Sequence, residues 1–168
     1  MSNQSNKYLS QASEYWRLGQ PLAAGRLIFE NLPTEVRPHW ASHILSLVIE
    51  KTKVKSPPIE YIIEIASRPA DWGKAHEAFS LARAVTLELN KTKVKPPHQM
   101  LLIQHMGLAE LVAKVIYNAT NPSDEFDEDS GWWIAVCLKN ILDLLDDNEF
   151  SRSMWLVVCS GANSAHQP

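Results

Sequence analysis

The peptide KTKVKSPP at residues 51–58 decides the fold, because residues 91–97 repeat it as KTKVKPP. The two copies lie 40 residues apart at their lysines. The apolar positions on both sides correspond as well, with Leu45, Leu47 and Ile49 matching Val85, Leu87 and Leu89. A phrase that is duplicated together with its flanks indicates a repeated structural unit rather than two similar loops.

Each copy has the features of a turn between two helices. About 15 residues with few helix breakers precede it, and the residue before a proline is disfavoured in the α region, so the first helix must stop. Proline then suits the first turn of the next helix, where its missing N–H would have had no partner. The pattern predicts a helical hairpin with a basic turn, and Ser56 is a candidate cap of the second helix.

The same template identifies an earlier unit, in which Gly19 ends one helix. Prolines punctuate all three units: Pro21, Pro58 and Pro97 begin the second helices, and Pro33 and Pro69 end two of them. The predicted hairpins are residues 6–19 with 21–32, 37–52 with 57–68, and 72–91 with 96–106. Further helices are predicted at 108–119, from about residue 132, and at 149–159.

No segment alternates convincingly between apolar and polar residues, so no sheet is predicted. We expect an all-α protein of seven to eight helices, stacked as antiparallel hairpins in an α-solenoid-like array or an irregular bundle. A single domain is predicted at 1–160, with hairpins at about 6–32, 37–68, 72–106 and 108–159, and a disordered tail at 161–168. The 168 residues include six Gly against ten Pro, which argues against glycine-rich phosphate loops and turn-rich β folds.

The first hairpin resembles a tetratricopeptide-type unit. The residues that carry the resemblance are small and large packing positions at similar spacings: Ala12, Tyr15, Leu18, Gly19, Ala24 and Leu32. The match covers residues 12–33, and the longer period of the next two units is similar to HEAT-like hairpins. The resemblance implies an α-helical array of a class that binds other proteins through a concave face.

The lysines of the two turns predict a basic edge, formed by Lys51, Lys53, Lys55, Lys91, Lys93 and Lys95. Such an edge would dock an acidic protein segment or a phosphate backbone. If nucleic acid bound to all six lysines, the logarithm of the affinity would fall with the logarithm of the salt concentration at a slope of about −5. The alternative is a pair of solvated turns whose lysines offset the negative ends of the preceding helices.

Trp132 and Trp133 are candidate partner anchors. Adjacent residues on a helix point about 100° apart, so these two rings are not expected both to be fully buried. The other four tryptophans, Trp16, Trp40, Trp72 and Trp155, are predicted to fill space between successive units.

A helical metalloenzyme is the third functional class to weigh. His39 and His43 share one helix face, and His98 and His105 share another. None has a Glu or Asp three or four positions away on its own predicted helix, which is the spacing that helical metal sites use. Ordinary surface or hydrogen-bonded core histidines are therefore the preferred interpretation, and no metal or cofactor is predicted.

The loop from Asp124 to Asp129 carries five carboxylates in six residues. It lacks the glycine and the distal glutamate of a helix-loop-helix calcium site. It is interpreted as a solvated loop that favours the positive end of the helix near Trp132, with contact to the lysine turns as the alternative.

Cys137 and Cys159 lie in apolar runs, where cysteine behaves as a small buried hydrophobe suited to a reducing compartment. No signal peptide and no stretch of about 20 apolar residues is recognised. We therefore expect a cytoplasmic protein. The net charge of −3 includes 13 basic against nine acidic residues in positions 1–100, and three against ten afterwards.

Catalytic signatures with glycine loops, Gly-x-Ser-x-Gly, His-Glu-x-x-His or Cys-x-x-Cys are missing from the sequence. The sequence therefore predicts a non-enzymatic protein-interaction or adaptor module. Nucleic-acid binding through the same lysines and the histidine-based metalloenzyme remain as alternatives.

Overall fold

The protein is all-α, as the proline-punctuated helices predicted. The structure is a computed structural model that describes residues 3–121, 129–154 and 158. Its α-helices are α1 Asn3–Arg17, α2 Pro21–Asn31, α3 Arg37–Thr52, α4 Pro57–Ser67, α5 Ala75–Asn90, α6 Pro97–Thr120 and α7 Ser130–Leu145. A 3-10 helix, Pro69–Lys74, joins α4 to α5, and residues 148–154 are helical. No strand occurs in this described part of the chain.

Prolines and one glycine set the helix ends as predicted. Gly19 has a φ of +72° between α1 and α2, a conformation that suits glycine because it has no Cβ. α2 and α6 begin at Pro21 and Pro97, and α4 begins at Pro57, one residue before the predicted Pro58. The predicted capping role of Ser56 is wrong, because its side chain makes no capping hydrogen bond.

Two predicted boundaries are also wrong. The segments 96–106 and 108–119 form the single helix α6, because Gly107 is tolerated there without a proline to stop the helix. A Cβ at Gly107 would lie 3.3 Å from the Cys137 sulfur, so glycine also gives α7 room to approach. Trp72 lies in the 3-10 helix, and α5 begins only at Ala75.

The core is organised around α6, which contacts α3, α4, α5 and α7. The first hairpin, α1 with α2, reaches this core by packing α2 extensively against α7. In a linear repeat array each unit contacts only its neighbours in sequence. The described packing is that of the second predicted alternative, a bundle in which early and late helices meet.

Small residues allow α2 and α7 to approach closely. A Cβ built on Gly25 would lie 2.6 Å from the Ala135 Cβ, and one built on Gly131 would lie 2.3 Å from the Phe29 Cβ. Carbon atoms in contact normally lie about 3.5–4.0 Å apart. Glycine is therefore required sterically on both helices at this crossing.

Two buried tryptophans, Trp40 and Trp72, pack in the interior of the bundle. Trp40 is buried, and its indole N–H donates to the Val158 carbonyl at 3.0 Å, which ties α3 to the end of the described chain. Trp72 is also buried, as predicted, whereas Trp16 is only partly buried. Trp155, the second half of the predicted helix 149–159 and the predicted tail 161–168 lie outside the described residues.

No stretch that is long and apolar enough to cross a membrane was expected from the sequence, but α6 is such a stretch. Its 24 residues meet that criterion by length and composition. More than half of its most apolar stretch is buried within this fold, where it serves as the central core helix.

Candidate functional site

Both lysine turns lie at the same end of the bundle, because each lies beside the first part of α6. At the first turn, residues 51–56, the Thr52 hydroxyl lies 2.9 Å from Nε2 of His105. At the second turn, residues 91–96, the Gln99 amide donates to the Leu89 carbonyl at 2.9 Å. His105 and Gln99 are six residues apart on α6, which is about 9 Å along the helix axis. The six turn lysines therefore share one end, here called the basic end.

The two turns have different backbone conformations, although their sequences match. In the first turn Lys53 is left-handed, with a φ of 56°, and its N–H donates to the Ile49 carbonyl at 2.8 Å. This conformation directs Val54 toward the core, where it is partly buried. In the second turn the corresponding residue, Lys93, does not have a positive φ, and Val94 is 84% exposed. The predicted equivalence of the two turns is therefore wrong, because the first contains one more residue and packs against the core.

Two of the six lysines are neutralised by acidic neighbours. Lys51 bonds Asp147 at 2.8 Å and lies 5.0 Å from the centre of the Phe150 ring. The hydrogen bond from Lys51 holds the pKa of Asp147 below its usual value. Lys91 bonds Glu88 at 2.5 Å, but both of these side chains are well exposed, so the pair contributes little stability.

The other four lysines keep their charges available. Lys53, Lys55, Lys93 and Lys95 form no ion pair with any residue that the structure describes. Lys53, Lys55 and Lys93 are exposed, and Lys95 is half-buried. The basic end therefore presents two pairs of cations, one pair on each turn.

The predicted aromatic anchors lie elsewhere. Trp132 lines a surface groove of about 380 Å³ together with the turn between α1 and α2 and with Lys139. Trp133 is 49% exposed, which confirms that the two rings are not both buried. Both are near the start of α7, about 20 Å along the helix from Leu145, whereas the Lys51 to Asp147 bond follows the end of α7. The structure therefore separates the tryptophans from the basic end.

The four histidines proposed for a metal site do not converge. His105 is fully buried, with Nε2 at the Thr52 hydroxyl and Nδ1 2.7 Å from the Leu101 carbonyl, and burial lowers its pKa. His43 is nine residues before Thr52 on α3, about 13 Å along the axis. His39 and His98 are exposed, and the His39 ring contacts Trp72 at 5.6 Å.

Metal-ligating side chains are dispersed throughout the described ranges. Among residues 3–121 and 129–154 no group of three or more His, Cys, Asp or Glu side chains is placed to hold a metal ion. From the predicted acidic loop, residues 124–128 lie outside the described residues. Its last member, Asp129, bonds Arg26 at 3.5 Å.

A buried carboxylate joins α5 to α6, and sequence reasoning missed it. Glu110 is only 7% exposed, and it accepts hydrogen bonds from the Thr86 hydroxyl and from Arg83, the latter at 3.2 Å. These bonds fix the register of the two helices, because sliding one helix along the other would separate Glu110 from its partners and leave a buried charge without compensation. A single Glu inside the apolar run LAELVAKV is the signal that could have identified it.

Cys137 on α7 is a half-buried free thiol. Burial, with a smaller contribution from the Glu110 charge, raises the pKa of Cys137 to about 12. A thiol with such a pKa is a poor nucleophile near neutral pH. This agrees with the interpretation of Cys137 as a small core residue, and Cys159 lies outside the described residues.

The resemblance of residues 12–33 to a tetratricopeptide-type unit, and of the longer units to HEAT-like hairpins, stays a prediction. Comparison of this chain with protein-family models, with curated proteins and with solved structures finds no match.

Proposed function

We propose that this protein is a non-enzymatic, cytoplasmic interaction module that binds an acidic segment of a partner protein at its basic end. The observation that carries the proposal is that both turns lie beside the first part of α6, near His105 and Gln99, which are six residues apart. Four of the lysines on these turns have no described acidic partner. No cofactor is required for such a role.

The spacing of the turns favours a carboxylate-rich segment as the ligand. Two contact points about 9 Å apart along α6 match roughly three residues of an extended chain, which spans about 3.3 Å per residue. Acidic side chains about three residues apart in an extended segment, or about six residues apart in a helical one, therefore suit lysines on both turns. Lys51, already bonded to Asp147, contributes less because a ligand must first displace that carboxylate.

The proposal is tested by neutralising the four unpaired lysines together. We expect K53Q/K55Q/K93Q/K95Q to lose the proteins that the wild-type chain recovers from an extract of its own cells, as identified by mass spectrometry. The side chains are at the surface, so folding is expected to be retained. Recovery of the same proteins by this variant would contradict the proposal.

A matched control separates the site from net charge. The variant R17Q/R26Q/R68Q/K74Q removes the same number of positive charges from surface residues that each pair with a nearby acid. We expect it to bind as the wild-type chain does. Nuclease treatment of the extract tests the nucleic-acid alternative, because loss of all recovered proteins after that treatment would favour nucleic acid as the ligand.

A further inference from the structure

The hairpin between α5 and α6 projects beyond the end of α3. Residues 87–100, here called the hairpin tip, contain the last turn of α5, the second lysine turn and the first turn of α6. The end of α3 reaches α6 at His105, eight residues after Pro97, which is about 12 Å along the axis. The beginning of α6 therefore extends past α3, and Leu101 to Gln104 are only half-buried.

Exposed apolar side chains are concentrated at the hairpin tip. Seven large hydrophobic residues are exposed in the described part of the chain, and three of them lie within these 14 residues. They are Leu87 at 55%, Val94 at 84% and Met100 at 43% exposure. Single exposed apolar residues are ordinary on protein surfaces, so it is the occurrence of three within one hairpin tip that makes the tip a candidate interaction site.

Hydrogen bonds on both sides of the second lysine turn hold the backbone that carries Leu87 and Met100. The Gln99 side chain bonds the Leu89 carbonyl near the end of α5, and the Lys91 N–H donates to the Glu88 carbonyl at 3.1 Å. On the other side of the turn, the Gln99 and Met100 N–H groups both donate to the Pro96 carbonyl. A surface ordered before binding loses less conformational entropy when a ligand arrives.

The first turn shows that exposure of the central valine is not imposed by the repeated sequence. Val54 occupies the same position in KTKVK as Val94 and packs against the core. Val94 instead points to solvent between Lys93 and Lys95, neither of which has a described acidic partner. The second turn therefore combines an apolar anchor point with two available cations.

We propose that the hairpin tip is the docking surface for an acidic, amphipathic segment of a protein partner, and this inference rests on the proposed function. The apolar side of the segment covers Val94 with Leu87 or Met100, and its carboxylates meet Lys93 and Lys95. Aromatic or aliphatic anchors surrounded by charges are the usual composition of such binding segments. Binding then has an apolar component that persists at salt concentrations that screen the lysines.

An anionic membrane fits the same surface less well. A bilayer is an extended anionic surface that interacts with the charge of the whole molecule, whereas one peptide segment touches only the projecting tip. The net charge of −3 adds repulsion from an extended anionic surface. Charge complementarity therefore favours a protein segment that reaches the tip alone.

The test uses a random 12-residue peptide library displayed on phage and selected on the full wild-type chain. We expect the selected peptides to combine Asp or Glu with Leu, Ile, Phe or Trp. Synthetic copies of them should bind V94S, and either L87S or M100S, roughly tenfold or more weakly than the wild-type chain. The control is L81S, which alters an exposed leucine on the same helix two turns before Leu87, and it should bind as the wild-type chain does.

Each outcome has a distinct meaning. Peptides that lose affinity for K53Q/K55Q/K93Q/K95Q but bind V94S, L87S and M100S at full strength would overturn the tip while leaving the proposed function in place. Selection of no peptide that depends on either set of variants would overturn both. Sedimentation of the chain with phosphatidylserine vesicles, reduced in V94S, would overturn the choice of a protein segment as the occupant.

Discussion

Replacing Gly25 by alanine tests whether α2 and α7 depend on their close approach. The new Cβ would lie 2.6 Å from the Ala135 Cβ and 3.0 Å from the Gly131 carbonyl oxygen. The first distance is about 1 Å shorter than a normal carbon contact. The second obstacle is backbone, so the two helices must move apart for the side chain to fit.

The expected magnitude follows from two opposing effects. Overpacking a well-packed core costs about 1–3 kcal/mol, and we take the upper end because a backbone atom is in the way. Alanine recovers about 1 kcal/mol through its higher helix propensity. G25A should therefore lower the free energy of unfolding by about 2 kcal/mol, equivalent to a fall of about 4–8 °C in Tm. Urea denaturation followed by far-ultraviolet circular dichroism measures the difference.

Two further variants make the experiment specific. Gly73 has open space where its Cβ would be, so G73A should stay within about 0.5 kcal/mol of the wild-type chain. A135G removes the atom that the new Cβ of G25A would strike, so the double variant should be more stable than additivity predicts by about 1–2 kcal/mol. The steric reasoning fails if G25A is as stable as G73A, or if the cycle is additive.

Two predictions concern titratable groups in the core. Burial lowers the pKa of His105 below its ordinary 6.5. Below about pH 6.5 the unfolded chain therefore binds more protons than the native protein does, and the free energy of unfolding should decrease as the pH falls through that range. H105Q should flatten this dependence in urea titrations, and a wild-type curve that is level between about pH 7.5 and 5 would contradict the assignment. The second prediction concerns Cys137, whose pKa is about 12, and uses a C159S variant so that Cys137 is the only thiol. At pH 8 this thiol should react with a disulfide reagent roughly a thousandfold more slowly in the native protein than in the protein unfolded in urea. Equal rates in the two states would show that the thiol is not protected.

The helix order could be predicted because the sequence carries local stop and start signals. Gly19 and the prolines at positions 21, 57 and 97 act on the backbone of their own neighbourhood, and so their effect does not depend on tertiary packing. The predicted break between residues 106 and 108 is wrong for the complementary reason. Glycine permits a helix end without requiring one, and the surrounding burial of α6 decided the outcome.

The arrangement of the helices could not be predicted from local signals. The contact of α2 with α7 depends on Gly25 and Ala135, which are more than a hundred residues apart and carry no shared motif. The duplicated KTKVK phrase also suggested identical turns. Whether Val54 or Val94 is buried depends on which helices extend past the turn, and this property belongs to the assembled bundle.

For the candidate site, the common position of the lysines could be predicted, whereas that of the tryptophans could not. The six lysines do lie at one end, because a helical hairpin places its turns at the same side of a bundle. The tryptophans were grouped with them only by chemistry, and α7 carries Trp132 and Trp133 to its other end. Leu87 and Met100 were missed because an apolar residue on a helix is ordinarily assigned to the core.

The contact between α2 and α7 also determines when the chain can finish folding during synthesis. The apolar face of the first hairpin, including Ile28 and Phe29, emerges from the ribosome more than a hundred residues before its partner helix. At about 5–20 residues per second, this face waits roughly 5–20 s for α7. The folding of this hairpin is therefore completed late, and its apolar face is exposed to aggregation or chaperone binding in that interval.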